Sequence, residues 1–179
     1  SKNLINFSKK YNKKIKFISC SSSRIFRKKN GYVTEKSKVF ADDFYSKFRI
    51  EINNYLIKAR KEKENFDFIN VILFNHDSFL RNKKFLLPRL INALITKNKK
   101  FIDDIIKENI AADFSHAEDI CNALVKIIFT NKEIKNIILS SGKKTNINDI
   151  IKYLIQKNKI YLNLKFDKKK ESNCIIGNN

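Results

Sequence analysis

Short β-rich runs alternate with stretches of helical period along this chain, and that alternation constrains its fold more than any other feature. Lys14–Cys20 alternates around Ile15, Phe17 and Ile18 and predicts a strand, and Phe68–Phe74 and Asn136–Ser140 are compact apolar runs of strand length. Asp42–Lys61 places Phe44, Phe48, Ile52, Tyr55 and Ala59 on one helical face, with Asp42 or Asp43 serving the N-terminus. Leu86–Thr96 predicts a helix whose Pro88 falls in the first turn, where a missing N–H costs little. His116–Thr130 carries Ala117, Ile120, Leu124 and Ile128 on one stripe, and Asn146–Gln156 is a further helix with Thr145 as its expected cap. Asn3–Tyr11 reads as the end of a helix, Asn30-Gly31 as a turn, and Lys168–Lys170 as a solvated loop. Strands separated by helices build βαβ units around a parallel sheet. The expectation is an α/β fold whose ligands sit outside the carboxyl ends of the strands.

The 179 residues are 42% hydrophobic and include 15 Phe, enough for one packed domain. The sequence begins at Ser1 and contains no Met, which suggests a piece of a longer chain. Its only glycines are Gly31, Gly142 and Gly177, so it holds no glycine-rich strand–turn–helix of the kind that cradles a dinucleotide pyrophosphate. Lys and Arg number 38 against 18 Asp and Glu, a net +20 that attracts polyanions. These cations are not gathered into one arm or stripe, and neither zinc spacing nor an aromatic RNA-binding stretch accompanies them. They read as compositional bias over solvated faces, and a nucleic-acid partner is not expected. Cys20, Cys121 and Cys174 form no CxxC pair and no metal spacing; Cys20 and Cys121 fall in apolar patterns and are expected as core thiols, which fits a reducing, cytoplasmic setting. The apolar runs are too short to span a bilayer, so no membrane association is expected.

Several polar residues stand at predicted strand exits or helix starts. The triplet Ser21-Ser22-Ser23 follows a strand, where hydroxyls commonly satisfy turn backbone, and Asn75 is placed to cap the turn after the next strand. Tyr45 opens a helix, where a Tyr commonly buries its ring and pairs its hydroxyl. His116 begins another helix and is expected to cap it or fix the loop.

Taken together, the segments FISCSSSRIF (17–26), YSKFR (45–49), VILFNHDS (71–78), FLLPRLINAL (85–94) and DFSHAEDI (113–120) carry a family signature. In this order they resemble the second half of an extended short-chain dehydrogenase/reductase of the NAD-dependent epimerase/dehydratase family, closest to the GDP-mannose 4,6-dehydratases. The tail ESNCIIGNN (171–179) is similar to the segment after the family's substrate region. The resemblance implies a partial Rossmann-like parallel sheet with helices, plus a smaller substrate-binding region, without the opening βαβ units. Residues 1–75 would be the second half of the Rossmann part. Residues 76–179 would mix substrate-binding and returning Rossmann elements in a single incomplete domain.

Residue by residue, the resemblance puts Ser22 at the position that holds a substrate hydroxyl and Tyr45 at the acid–base position. Arg49 stands where the family has the Lys that tunes the Tyr and binds the cofactor ribose, so Tyr45 and Arg49 would be the cofactor contacts. Arg24 stands where the dehydratases have the Glu that removes the proton beside the keto group, and a guanidinium cannot serve as that base. Glu35, in the Thr34-Glu35 pair, is the next candidate base. Arg27 replaces a small Gly, and Ala112 replaces an Arg that would pair with phosphate. Asn75 matches the residue that contacts the diphosphate, Arg81 a polar loop Arg, and Phe85 the aromatic before the covering helix. Asp113, Phe114, His116 and Asp119 match the family block. The resemblance further implies NADP or NAD as cofactor, a nucleotide sugar of the GDP-mannose type as substrate, and a homo-oligomer. Tight cofactor binding by this chain alone is not expected. Three readings follow: a fragment or degenerate member of a sugar-nucleotide dehydratase, a non-catalytic relative kept for binding or assembly, and a basic nucleic-acid-binding protein supported by net charge alone.

Overall fold

The structure is a computed structural model that describes residues 2–10, 15–26, 30–62, 66–166 and 172–178. Arg27, the Lys168–Lys170 run and the junction at Lys14 lie outside the described residues. The elements in chain order are α1 (Lys2–Lys10), β1 (Ile15–Ser22), β2 (Gly31–Val33), α2 (Phe44–Glu62), β3 (Phe66–Leu73), β4 (Asn75–Asp77), α3 (Leu86–Ile95), α4 (Lys99–Glu108), β5 (Ala111–His116), α5 (Ala117–Phe129), β6 (Asn136–Leu139), β7 (Lys144–Asn146), α6 (Ile147–Lys157) and β8 (Ile175–Gly177).

The expected parallel sheet is present. Its order is β1-β3-β6 and both pairings are parallel. Central β3 is apolar from Phe68 to Leu73 apart from the buried Asn70, because both of its faces are covered. Phe68 packs with Ile52, Leu56 and Ala59 of α2 and Ile5 of α1. Ile69 and Val71, pointing the other way, pack with Ile127 of α5. This is the period-2 alternation of a strand sandwiched between two helical layers.

A second region follows. Strand β4 pairs in parallel with β5, which pairs antiparallel with β7, and β2 pairs in parallel with β8. Helices α3, α4 and α6 enclose a separate core of Leu90, Leu94, Ile102, Ile105, Ile106, Ile147 and Ile151. Helix α4 carries its own start and stop signals. Asn98 accepts the Phe101 N–H at 3.2 Å, and Asn109 leaves the helix at φ 47°, a left-handed conformation that Asn tolerates.

Several sequence expectations need correction. The helix after Asp43 buries Ile52, Leu56 and Ala59, whereas Phe44 is 86% and Phe48 41% exposed. Ile5 and Phe68 meet the later turns of α2, while the early turns direct Ser46 and Ile50 inward, Ile50 packing against the cluster of Ile25 and Phe26, and leave Phe44 and Phe48 on the outer side. On α5, Ile127 rather than Ile128 completes the buried stripe with Ile120. Asn146, not Thr145, caps α6, accepting the Asn148 N–H at 2.8 Å; Thr145 belongs to β7. Cys20 and Cys121 are exposed and Cys174 is buried. Cys20 lies on a strand with one described neighbour, and Cys121 sits a hundred degrees around α5 from Ile120, off the buried stripe. Among the described residues no helix is long and apolar enough to cross a membrane.

Candidate functional site

Parallel pairing in register brings the ends of β1 and β3 level, with Ser22 opposite Leu73. The chain therefore leaves both strands on the same side, and a cleft of about 450 Å³ opens there. From β1 and the turn after it come Ser22 and Arg24; from the first turns of α2 come Tyr45 and Arg49. Beyond β3, Asn75 of β4 and the loop residues Arg81 and Phe85 complete the opposite end, with Ala112 and Phe114 of β5 between. One cleft thus gathers Ser22, Arg24, Tyr45, Arg49, Asn75, Arg81 and Phe85, while Glu35, Asp113, His116 and Asp119 are not in its lining.

The β1 end is held by an N-terminal box on α2. Asp43 Oδ1 accepts the Ser46 N–H at 2.7 Å and the Ser46 hydroxyl at 3.0 Å, while that hydroxyl accepts the Asp43 N–H at 3.2 Å. Ser46 is fully buried, so this box is the shielded anchor of the helix start. The other Asp43 oxygen takes a charge-assisted bond from Arg24 Nη2. The Ser46 backbone bond first, then the Ser46 hydroxyl and the Arg24 charge, hold the Asp43 carboxyl below its ordinary 3.8.

Two guanidiniums flank the Tyr45 ring: Arg49 Cζ is 4.9 Å and Arg24 Cζ 5.5 Å from its centroid. Arg49 Nη1 donates to the Cys20 carbonyl at 2.9 Å, and its Nε is buried without an acceptor. Desolvation pushes the Cys20 thiol above its ordinary 9.0, and the Arg49 charge offsets part of that rise. A neutral thiol beside the cleft is a weak nucleophile.

The β3 end is built locally. Arg81 stacks on Phe85, Cζ to ring centroid 3.7 Å, and its Nε is also buried without an acceptor. The turn between them closes through Arg81 N–H to Ser78 O at 3.0 Å and Phe85 N–H to Asn82 O at 3.1 Å. His76 Nδ1 lies 2.9 Å from the Phe74 carbonyl, and Asp77 Oδ1 accepts the Ser78 N–H at 2.8 Å. His76 and Asp77 line the cleft and were not singled out in the sequence; their signal was adjacency to Asn75 on a three-residue strand.

The β5 block divides its work. Asp113 is completely buried, and its carboxylate accepts from Ser141 N at 2.8 Å, Ser141 Oγ at 2.6 Å, Gly142 N at 3.2 Å and Gly177 N at 3.2 Å. It ties β5 to the β6–β7 turn and to β8. Gly177 is needed there because a Cβ would meet the Ser140 Cβ at 2.6 Å. His116 is the N-cap of α5, its Nδ1 accepting the Glu118 N–H at 3.3 Å, which is the capping role expected of it. Glu35 is no substitute base: its Oε1 accepts the Ile138 N–H at 2.9 Å on β6, away from the cleft lining. The glycines with positive φ, Gly31 and Gly142, start β2 and turn between β6 and β7. Neither sits at a strand-to-helix turn, so the described residues form no pyrophosphate cradle.

A sequence profile for GDP-mannose 4,6 dehydratase matches residues 2–176. The chain belongs to the GDP-mannose 4,6-dehydratase family. Among solved structures, the UDP-glucuronic acid 4-epimerase of Bacillus cereus in complex with NAD is similar at a TM-score of 0.80 and 17% identity, over 98% of this chain and 54% of that one. The dTDP-glucose 4,6-dehydratase of Bacillus anthracis in complex with NAD is similar at 0.77 and 14% identity, over 97% and 56%. The protein RMD of Pseudomonas aeruginosa, complexed with NADPH, is similar at 0.75 and 15% identity, over 98% and 60%. At the level of sequence no curated protein matches. This member of the GDP-mannose 4,6-dehydratase family thus shares the Rossmann fold of NAD-dependent epimerases and dehydratases and spans little more than half the length of those chains.

Proposed function

We propose that this chain supplies the nucleotide-sugar cleft of a sugar-nucleotide dehydratase of the GDP-mannose type, and that the cleft binds its ligand without the means to dehydrate it. The observation that carries the reading is the single cleft joining Ser22 and Tyr45 to Asn75, Arg81 and Phe85. In this reading Asn75 and Arg81 hold the diphosphate, Phe85 fixes the Arg81 fork by stacking, and Ser22 holds a sugar hydroxyl. Tyr45 occupies the acid–base position, where the family's nicotinamide cofactor would take and return the hydride at C4. This chain's residues fit that cofactor poorly: Tyr45 and Arg49 could reach its ribose, but the cradle for its pyrophosphate is not among them.

Loss of water across C5–C6 needs a base near Tyr45. Arg24 is in that place, always protonated and bonded to Asp43. A positioned base contributes about 10²–10⁴-fold, so its replacement by a cation favours a binding role over turnover. The same observation favours the reading as a non-catalytic relative kept for binding or assembly.

Calorimetric titration of the 179-residue chain with GDP-mannose at physiological salt tests the proposal. Saturable one-to-one binding is expected, weakened about tenfold by Arg81→Ala through loss of a charge-assisted bond. NADP should bind only weakly, and no 4-keto-6-deoxy product should form. Binding that disappears between low and physiological salt would overturn the reading, because a net +20 attracts any polyphosphate at low ionic strength.

A further inference from the structure

Helix α3 begins on the cleft, where Leu86 and Leu87 line it, and ends at a second cavity. That cavity holds about 380 Å³ where the last turns of α3 and α6 meet the chain that follows α6. Its apolar walls are Ile91, Leu94, Ile95, Leu154, Ile160 and Tyr161. Leu94 is buried and forms the floor, while Ile95 is 72% and Tyr161 87% exposed, so an apolar interior opens to solvent between apolar lips. A concave apolar surface with a few placed polar groups is the usual form of a small-ligand site.

Two cations belong to the same lining. Lys97 and Lys159 line the cavity, and no acidic side chain does so among the described residues. Each follows a helix C-cap, Thr96 on α3 and Asn158 on α6, and each has a left-handed backbone, at φ 53° and 50°. Gly or Asn is usual at that position, because a β-carbon there crowds the following carbonyl. Both helix ends at this cavity thus keep a Lys where the backbone disfavours it. The helix-end carbonyls do not oppose an anion: those of Asn92, Ala93 and Leu94, and of Leu154, Ile155 and Gln156, are taken by backbone N–H groups.

We infer that this cavity binds a single-chain anionic amphiphile, a fatty carboxylate, with its tail on the Leu94 floor and its head group between Lys97 and Lys159. The enclosed volume and buried floor favour one inserted tail over a flat bilayer, and the paired cations complement one carboxylate. The inference is independent of the nucleotide-sugar reading, since the cavity and the cleft share no lining residue.

Calorimetry of the 179-residue chain at physiological salt, below micelle-forming concentrations, compares octanoate, decanoate and dodecanoate with the uncharged decanol. Affinity should rise about tenfold for each two carbons added to the tail. Decanoate should bind about fivefold tighter than decanol, the size of two solvent-exposed ion pairs. Lys97→Gly combined with Lys159→Gly should bring decanoate to the affinity of decanol and leave decanol unchanged, without lowering the unfolding temperature, because Gly accepts both φ values. Lysines with a purely structural role would leave both affinities alone, and that result would overturn the inference. Ile91→Trp, at an exposed position, should fill the cavity and abolish binding of acid and alcohol. If a variant does not fold, the wild-type dependence on tail length and head charge still decides. Equal affinity for acid and alcohol would overturn the inference. So would affinity that ignores tail length, since the general field of a +20 chain would then be the cause. Absence of saturable decanoate binding would overturn it too, whether the face then proves to hold phosphatidylglycerol vesicles or a second copy of the chain.

Discussion

At the β3 end of the cleft, Asn75, Arg81 and Phe85 follow one another along eleven residues of continuous chain, about the reach of one short strand and its turn. At the β1 end, Ser22 and Arg24 come from one element and Tyr45 and Arg49 from another, joined by the Asp43 ion pair and by contacts to a single ring. The first end keeps groups suited to hold a phosphate. In the proposed reading the second keeps its hydroxyls but places guanidiniums where acid–base work would need a carboxylate and an ammonium. On that reading binding and chemistry are separable: the local end would keep its ligand geometry after the composite end has changed its charge.

The largest expected effect falls on the scaffold beneath the β3 end. Asp113→Ala leaves the Ser141, Gly142 and Gly177 N–H groups without their acceptor, and each buried orphan costs about 1–3 kcal/mol. A loss of about 3 kcal/mol or more in denaturant unfolding is expected. Hydrogen exchange should rise in β4, β5 and β8 before β1. Uniform loosening would show that the two ends do not rest on separate supports.

Ligand affinity should divide the ends next. Arg81→Ala should weaken GDP-mannose binding tenfold or more, about 1.5–3 kcal/mol, whereas Tyr45→Phe, which removes one neutral hydroxyl, should cost less, about 0.5–1 kcal/mol. Equal losses measured by calorimetry would break the distinction between a binding end and a composite end.

A smaller effect concerns the box at α2. The Asp43 carboxyl is held below its ordinary 3.8, so its contribution to stability is complete above that value and is lost as pH falls through the lowered one. Asp43→Ala should unfold at a lower temperature than the wild type from pH 7 down to about pH 5, with the gap closing in more acid solution. A gap that widens on acidification would reverse the assignment.

The smallest effect is a shift in reactivity. Alkylation of Cys20 should need a pH above its ordinary 9.0 to reach half its maximal rate. Arg49→Gln should move that midpoint higher, because the Arg49 charge favours the thiolate. Mass spectrometry of pH-dependent labelling reads both, and an unchanged midpoint in the variant would place Arg49 away from the sulfur.

The parallel sheet was legible in the sequence because β3 is buried on both faces, so its Phe68–Phe74 run is apolar apart from Asn70. Helix α3 was legible for a similar reason: Pro88 and the Leu86–Ile95 pattern fit one helix and little else. Helix α4 escaped notice although Asn98 and the Ile102, Ile105 and Ile106 spacing announce it. The short strands β2, β4, β5, β7 and β8 were not legible, since stretches of three to six residues that lack the unbroken apolar core of β6 carry too little periodicity to separate from loops.

The residue types at the site, and the absence of a base at Arg24, follow from the sequence alone, because protonation chemistry belongs to the side chain wherever it lies. Tertiary structure decided the rest. It brought Ser22 level with Leu73 through strand register, turned the Phe44 and Phe48 face outward, engaged Glu35 with β6, and joined Arg24 to Asp43 and Arg49 to the Cys20 carbonyl. A side chain's charge is intrinsic, but its partner is set by which elements pack together, and that depends on contacts far apart in the chain.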